Sequence, residues 1–333
     1  MAKHFITGVA GFVGSNLART LLENGEEVVG IDNFSCGFHK NIEDILEDSS
    51  FTFYEKDIRD IEWDSGYGDF DAVWHLAARG ELYYCRDHID EAIDVNVKGS
   101  LNMLKFAACA NARHFYFSDT SAEYDNIIGE ENYPTAETDA PNVNTPLGYY
   151  AITKMAASQF IRSYGESNGI GTTLFRYTNI YGPSMNLKRD IPPVVGSFTN
   201  KMFDGETPIV YGTGRKRRDF LHIDDLNDFH YAAFENRQDK TDSQTYNAGC
   251  GKNYEILEIR RLVYNACIKR YDGTPTGILY KPDQPNEAEI TQADISKAKN
   301  DWGWSPKLSI EEGIDRTVES LWQLRRESND GQC

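Results

Sequence analysis

Within its first fourteen residues the chain runs from a short apolar stretch, Phe5-Ile6-Thr7, through Gly8-Val9-Ala10-Gly11-Phe12-Val13-Gly14 into an apolar pattern of helical period. Three glycines set three apart at a strand-to-helix corner restrict the fold more than any other feature of the chain. They are needed where the backbone turns tightly, where a ligand comes up against the main chain, and where the helix must lie close on the strand. The first amides of such a helix have no intrahelical partner and sit at its positive end, so the corner suits phosphate. An acid follows at the matching distance: Asp32 ends the next apolar run, 18 residues after Gly14. A carboxylate there accepts both ribose hydroxyls and repels a 2′-phosphate, which predicts NAD rather than NADP. Asn33 stands beside it. Asp57 and Ile58, after the third apolar run, fall at the adenine, an ordinary strand-end turn being the alternative for them.

Apolar runs at 4–7, 27–31, 51–54, 72–76, 114–118 and 172–176 have the length and composition of buried strands. Helical spacing marks 12–22, with Gly25 as its stop, and then 89–110 and 150–164. Strands alternating with helices predict right-handed crossovers and a doubly wound parallel sheet, an α/β fold of Rossmann type. After Asn179 prolines and glycines become frequent and the alternation ends. Residues 1–178 therefore read as the dinucleotide-binding domain, with later segments near 220–250 packing back onto it. Residues 179–325 read mainly as a smaller, mixed α/β substrate domain, and the polar stretch 327–333 as a frayed end.

The 333 residues, 40% hydrophobic and 26% charged, suit a globular protein with a real core. A net charge of −18, from 52 acids against 34 bases, repels nucleic acid and anionic membrane and argues against either as a partner. The N-terminus lacks the pattern of a secretory signal, and no apolar run is long enough to span a bilayer. Six scattered cysteines without a CxxC pair point to a reduced, cytoplasmic protein. The seven histidines show no ligand spacing, so no metal site is predicted.

Tyr150-Ala-Ile-Thr-Lys154 sets a phenol and an ammonium one helical turn apart on one face. A phenol titrates near pH 10, and bringing it about 3 units lower takes roughly 4 kcal/mol of preferential stabilisation of the phenolate. A neighbouring lysine and a positive nicotinamide ring together supply that. Ser118 and Thr120 end the fifth strand, at the carboxyl edge where this architecture binds ligands. Thr120 is placed to relay a sugar hydroxyl proton to Tyr150; the alternative is a strand-end hydroxyl bonded to local backbone.

Together these stretches resemble the extended short-chain dehydrogenase/reductase family, specifically its nucleotide-sugar epimerases and dehydratases of the UDP-glucose 4-epimerase type. The resemblance covers nearly the whole chain. It includes Thr7 to Gly14, Asp32-Asn33, Asp57-Ile58, His75-Leu76-Ala77-Ala78, Asn96-Val-Lys-Gly99 and Tyr150-x-x-x-Lys154. It continues through Arg176-Tyr177-Thr-Asn179-Ile-Tyr-Gly-Pro183, Arg218-Asp219, Asp224-Asp225-Leu226, Asn247-Ala-Gly-Cys-Gly251, Ala293-Asp294 and Gly303-Trp304. It implies that Leu76, Ala77, Ala78, Ser118 and Tyr177 line the cofactor path and that Asn96 orders the active-site strands. Asn179 and Arg218 would contact a substrate diphosphate, for which the planar guanidinium is suited. Val195 and Tyr211 join the substrate residues, Tyr211 as a stacking platform for the base or as a plain core residue. The helices at 89–110 and 150–164 would form a four-helix homodimer interface with a second copy.

Three departures bear on the reaction. Where similar dehydratases carry Thr-Asp-Glu and similar decarboxylases Thr-Ser-Glu, this chain has Thr120-Ser121-Ala122, with Glu123 one place later. Gln284 stands where relatives commonly have an arginine to the diphosphate. Glu81 occupies a loop position that is usually small or neutral; it is either a solvated acid or, with Arg79, a recogniser of an unusual sugar or an acid/base. What remains is a base, a relay and NAD, which predicts a nucleotide-sugar 4-epimerase: C4 hydride is abstracted to give a 4-keto sugar and returned to the opposite face. The alternative is a dehydratase or decarboxylase using Glu81 or Glu123. A non-catalytic NAD-binding regulator is a third reading, against which the intact Thr120, Tyr150 and Lys154 argue.

Overall fold

A computed structural model describes residues 1–62, 68–139, 141, 146–188, 192–237, 242–284 and 287–330. Six strands arise where the apolar runs predict them: β1 (Lys3–Thr7), β2 (Glu27–Asp32), β3 (Phe51–Glu55), β4 (Ala72–His75), β5 (His114–Thr120) and β6 (Gly171–Tyr177). Four short strands follow, β7 (Asn179–Tyr181), β8 (Ile209–Tyr211), β9 (Arg217–Arg218) and β10 (Phe220–His222). Next come β11 (Ser243–Ala248), β12 (Tyr254–Glu255) and β13 (Leu279–Lys281). The main sheet has seven strands in the order β3-β2-β1-β4-β5-β6-β11, all parallel. The winding direction reverses between β1 and β4, and that switch point opens the crevice at the carboxyl ends of the strands.

The first five helices are α1 (Phe12–Glu23), α2 (Leu82–Asp87), α3 (Ile89–Ile93), α4 (Ser100–Cys109) and α5 (Tyr149–Asn168). The rest are α6 (Val194–Phe203), α7 (Ile223–Glu235), α8 (Ile256–Cys267), α9 (Ser296–Trp302) and α10 (Ile310–Asp330). The helix expected over 89–110 is present but not uniform: a π-helical stretch, Asp94–Gly99, joins α3 to α4. The end expected to fray is helical as far as Asp330, and residues 331–333 lie outside the described residues.

Because both faces of the sheet are covered, its central strands are buried along nearly their whole length rather than on alternate residues. One face packs Trp74, Tyr116 and Phe175 against α1 and α7, with the Trp74 and Tyr116 rings stacked 4.0 Å apart. The other packs Phe5, Val73, Phe115 and Phe117 against α4 and α5. A third core, under α6, α8 and α10, belongs to the second half of the chain. Helix α7 and strand β11, although late in sequence, thus build the sheet domain. No helix among the described residues is long and apolar enough to cross a membrane.

Candidate active site

The glycine corner is a cradle made of main chain. Gly8 has φ +71°, and a Cβ added there would lie 2.9 Å from the Ala77 backbone; one added to Gly14 would lie 2.2 Å from the Gly8 carbonyl oxygen. The amides of Gly8 and Val9 both donate to the Ile31 carbonyl, at 2.8 and 3.2 Å, which ties the corner to β2. Helix α1 starts at Gly11 with no side chain capping it, so its first amides face the crevice. These residues fit a dinucleotide pyrophosphate. A cleft open to solvent begins here. Its wall takes in Gly8, Gly11, Phe12, Val13, Gly14, Asp32 and Asn33, then Asp57, Ile58, Leu76, Ala77 and Ala78, and it ends at Ser118, Tyr150, Tyr177 and Glu81.

Asp32 is held by two amides, Ala10 to Oδ2 at 3.0 Å and Phe34 to Oδ1 at 2.8 Å. Burial raises its carboxyl above the usual range, and those amides pull the other way. At the mouth, Asn33 Nδ2 donates to Asp57 Oδ2 at 2.8 Å, and Arg59 donates to both Asp57 oxygens. The guanidinium brings the Asp57 carboxyl down to about 2. Arg79 spans the cleft edge: its Nη1 donates to Cys36 Sγ at 2.9 Å, and its Nε to Glu91 Oε1 at 2.9 Å. Cys36, Arg79 and Asn186 line the cleft without having been singled out as cofactor contacts from sequence.

The floor is set by a chain of hydrogen bonds whose direction follows from counting protons. Thr7 Oγ1 accepts the amides of Leu76 and Ala77, both at 3.1 Å, so its own proton goes to His75 Nδ1 at 2.8 Å. His75 Nε2–H then donates to Ser100 Oγ at 2.9 Å, and Ser100 donates to the Asn96 carbonyl at 2.6 Å. Burial drives His75 down to about 3, which keeps the ring neutral as the chain requires. Asn96 is fully buried: Oδ1 accepts the Arg79 amide at 2.8 Å, and Nδ2 donates to the Arg79 carbonyl and to Thr153 Oγ1. It joins the β4 loop to α5 from behind the cleft wall instead of lining it.

Tyr150 lines the cleft, while Lys154, one turn along α5, is 1% exposed and lies behind it. Lys154 Nζ sits 4.0 Å from the centre of the Phe117 ring, and burial lowers its ammonium to about 8. Thr120 Oγ1 accepts the Ala122 amide at 3.1 Å, as a strand-end hydroxyl does, and its own proton stays available for donation. Glu123 is 2% exposed and pairs with Arg176 Nη2 at 2.8 Å. It lies in the interior, so of the two acids named as substitutes for the missing strand-end pair only Glu81 lines the cleft.

Beyond Glu81, Tyr83 OH donates to Glu287 Oε1 at 3.1 Å, and Arg218 and Lys216 both approach Glu287 Oε2 at 3.6 Å. Lys216, not anticipated from sequence, also binds Asp283 at 2.8 Å beside the half-buried Gln284. Asn179 Nδ2 donates to the Asp219 carbonyl at 3.0 Å, and Tyr211 is half-buried at the end of β8. The Val195 side chain belongs to the core under α6 and does not line the cleft.

Residues 4–249 match the sequence model of the NAD dependent epimerase/dehydratase family. The chain belongs to that family. Among its relatives, a putative UDP-glucose 4-epimerase of Methanocaldococcus jannaschii is 29% identical, over 94% of this chain and 96% of that protein. UDP-glucuronic acid decarboxylase 1 of Arabidopsis thaliana is 31% identical, over 94% and 68%. The crystal structure of the UDP-glucuronic acid 4-epimerase of Bacillus cereus, solved with UDP-glucuronic acid and NAD, superposes with a TM-score of 0.86 at 26% identity, covering 97% of this chain and 99% of that one. The cofactor of this family is NAD, and the fold is the Rossmann type.

Proposed function

We propose that the protein is an NAD-dependent nucleotide-sugar 4-epimerase. The observation that carries this reading is the course of the cleft, which starts at the glycine cradle and Asp32 and ends at Tyr150. NAD, when bound, would supply the acceptor for the C4 hydride and, once reduced, its donor to the opposite face. Tyr150 takes the C4 hydroxyl proton, directly or through Thr120, and returns it after the 4-keto sugar has turned over. Lys154 stabilises the phenolate from behind the wall. Asp32, Asn33, Asp57 and the cradle hold the dinucleotide. Arg218, with Asn179, Gln284 and the α6 main chain at Val195, holds the substrate diphosphate; Tyr211 packs on its base and Glu81 faces its sugar.

Glu81 and the decarboxylase relative support a second reading, loss of carbon dioxide or water from the same class of substrate. The test of both is to incubate the NAD-loaded protein with UDP-, GDP-, CDP- and dTDP-sugars and to read product mass and C4 configuration. An equal-mass isomer inverted at C4 is expected; a product lighter by carbon dioxide or water replaces the first reading with the second.

The division of labour is between a dinucleotide domain, 1–178 with α7 and β11, and a mainly substrate-binding part, 179–325. Ile89 and Ile93 on α3 and Ile152 and Phe160 on α5 are exposed at helical spacing, which supports a homodimer through a four-helix bundle. Light scattering checks this, and a Phe160→Glu variant that stays dimeric would remove that interface. The unpaired thiols of Cys36, Cys85, Cys109, Cys250 and Cys267 support a reducing, cytoplasmic setting.

A further inference from the structure

Asp119 is part of the cleft wall, but its side chain is fully buried, and with Glu123, Arg162 and Arg176 it has no part in the chemistry above. Asp119 is the one that engages the helix carrying the catalytic pair. Alternation along β5 puts Phe117 and Asp119 on one face, the face that α5 covers. Lys154 rests over Phe117. Ser158, one turn beyond Lys154, shares its hydroxyl proton between Asp119 Oδ2 at 2.7 Å and the Lys154 carbonyl at 3.0 Å. Asp119 Oδ1 accepts the Thr120 amide at 2.9 Å. Both oxygens thus act as acceptors, the environment of a carboxylate anion rather than of an acid.

The groups whose charge bears on Lys154 are Asp119 from β5, Glu123 from the turn after it, Cys85 from α2 and His75 from β4, with Tyr150 one turn before it on its own helix. Arg162 and Arg176 bear on Asp119 and Glu123. Burial pushes the Cys85 thiol up to about 11 and His75 down to about 3, so both are neutral at pH 7. Burial, and then the like charge of Asp119, push the Glu123 carboxyl well up, whereas both Asp119 oxygens accept hydrogen bonds.

We propose that Asp119 is a positioning residue for the Tyr150–Lys154 pair: its buried carboxylate is the counter-charge that keeps the Lys154 ammonium charged, and through that charge keeps the Tyr150 phenol acidic enough to serve as base. This rests on the reading of Tyr150 as the base. The experiment is the pH profile of kcat for the NAD-loaded enzyme, whose alkaline limb reports loss of the Lys154 proton. Asp119→Asn moves that limb down by about one pH unit or more and lowers kcat at pH 8 about tenfold, with KM little changed. Asp119→Ser, which keeps a hydrogen-bond partner for Ser158, gives the same shift and covers the case in which the first variant does not fold. Ser158→Ala removes the anchor but not the charge, so kcat falls while the limb stays. In a Lys154→Arg background, where the cation does not titrate in this range, Asp119→Asn no longer moves the limb. An unmoved limb in Asp119→Asn and Asp119→Ser enzymes that still turn over overturns the proposal and leaves Tyr150 as base. A Tyr150→Phe enzyme as fast as wild type overturns both.

Discussion

Two acid–arginine pairs flank the same cleft and behave in opposite ways. At the mouth, Arg59 donates to both oxygens of the half-buried Asp57 and brings its carboxyl down to about 2. Behind the cleft wall near Tyr150, Arg176 lies 2.8 Å from Glu123, yet the Glu123 carboxyl is pushed up. The two differ in burial and company. Asp57 keeps solvent on one side, so the arginine dominates. Glu123 is in the interior beside a second carboxyl, and desolvation outweighs the attraction of one cation. Opposite charge in contact therefore does not by itself say which way a group titrates. In this fold the wall behind Tyr150 is where burial wins, and on the function proposed above that is the end where a phenol and an ammonium must be moved from their ordinary pKa values.

The largest expected effect tests whether the chemistry belongs to that buried wall. Tyr150→Phe lowers kcat by roughly 10²- to 10⁴-fold while NAD still binds, measured by turnover and by cofactor fluorescence titration. Next comes Arg176→Met, which strands two carboxyls in the interior and costs about 3–5 kcal/mol in urea unfolding. A loss below about 1 kcal/mol, the range for an exposed pair, would erase the contrast between the two regions. Smaller again is Glu123→Gln, whose signature is a slope rather than a level. The folded carboxyl is raised above its unfolded value near 4.3, so the folded state holds more protons in between and stability falls as pH rises through that window. The variant should flatten wild-type stability between about pH 5 and 7; an unchanged slope would assign the pH dependence to other groups.

The same contrast decides what could be read from the amino-acid sequence. The cradle, Asp32 and the six leading strands were legible because their signals are local: glycines at a corner, an acid at a fixed distance, apolar runs of strand length. The seventh strand was visible only as a segment near 220–250 returning to the sheet, since Ser243–Ala248 is an edge strand with a largely polar sequence. The π-helical stretch inside 89–110 shifts the helical register by a residue without breaking its apolar pattern, so a uniform helix was expected. Asp119 and Glu123 were least legible. Charged residues ordinarily face solvent, and what buries them is Arg176, 53 residues from Glu123 in sequence. Glu123 could be flagged as a candidate acid, but its distance from the cleft could not be foreseen without knowing that the chain turns after Thr120. Lys216 carries no local signal either, since a lone lysine ordinarily reads as a solvated charge, yet here it is buried.

Asp57→Asn at the mouth has the smallest expected effect and probes the comparison from its other side. The Asp57 carboxyl is depressed, so its stabilisation is present above the unfolded pKa near 4 and is lost as pH falls through about 2. At pH 7 the variant should lose less than about 1 kcal/mol, because Arg59 is exposed and the pair is screened. Near pH 2 the difference from wild type should shrink, since protonation has by then removed the same charge from both proteins. Added salt should narrow the gap at pH 7 as well, which it should not do for Arg176→Met in the interior. A salt-independent loss of several kcal/mol in Asp57→Asn would mean that the mouth is as tightly built as the wall, and burial would no longer explain why the two acids titrate in opposite directions.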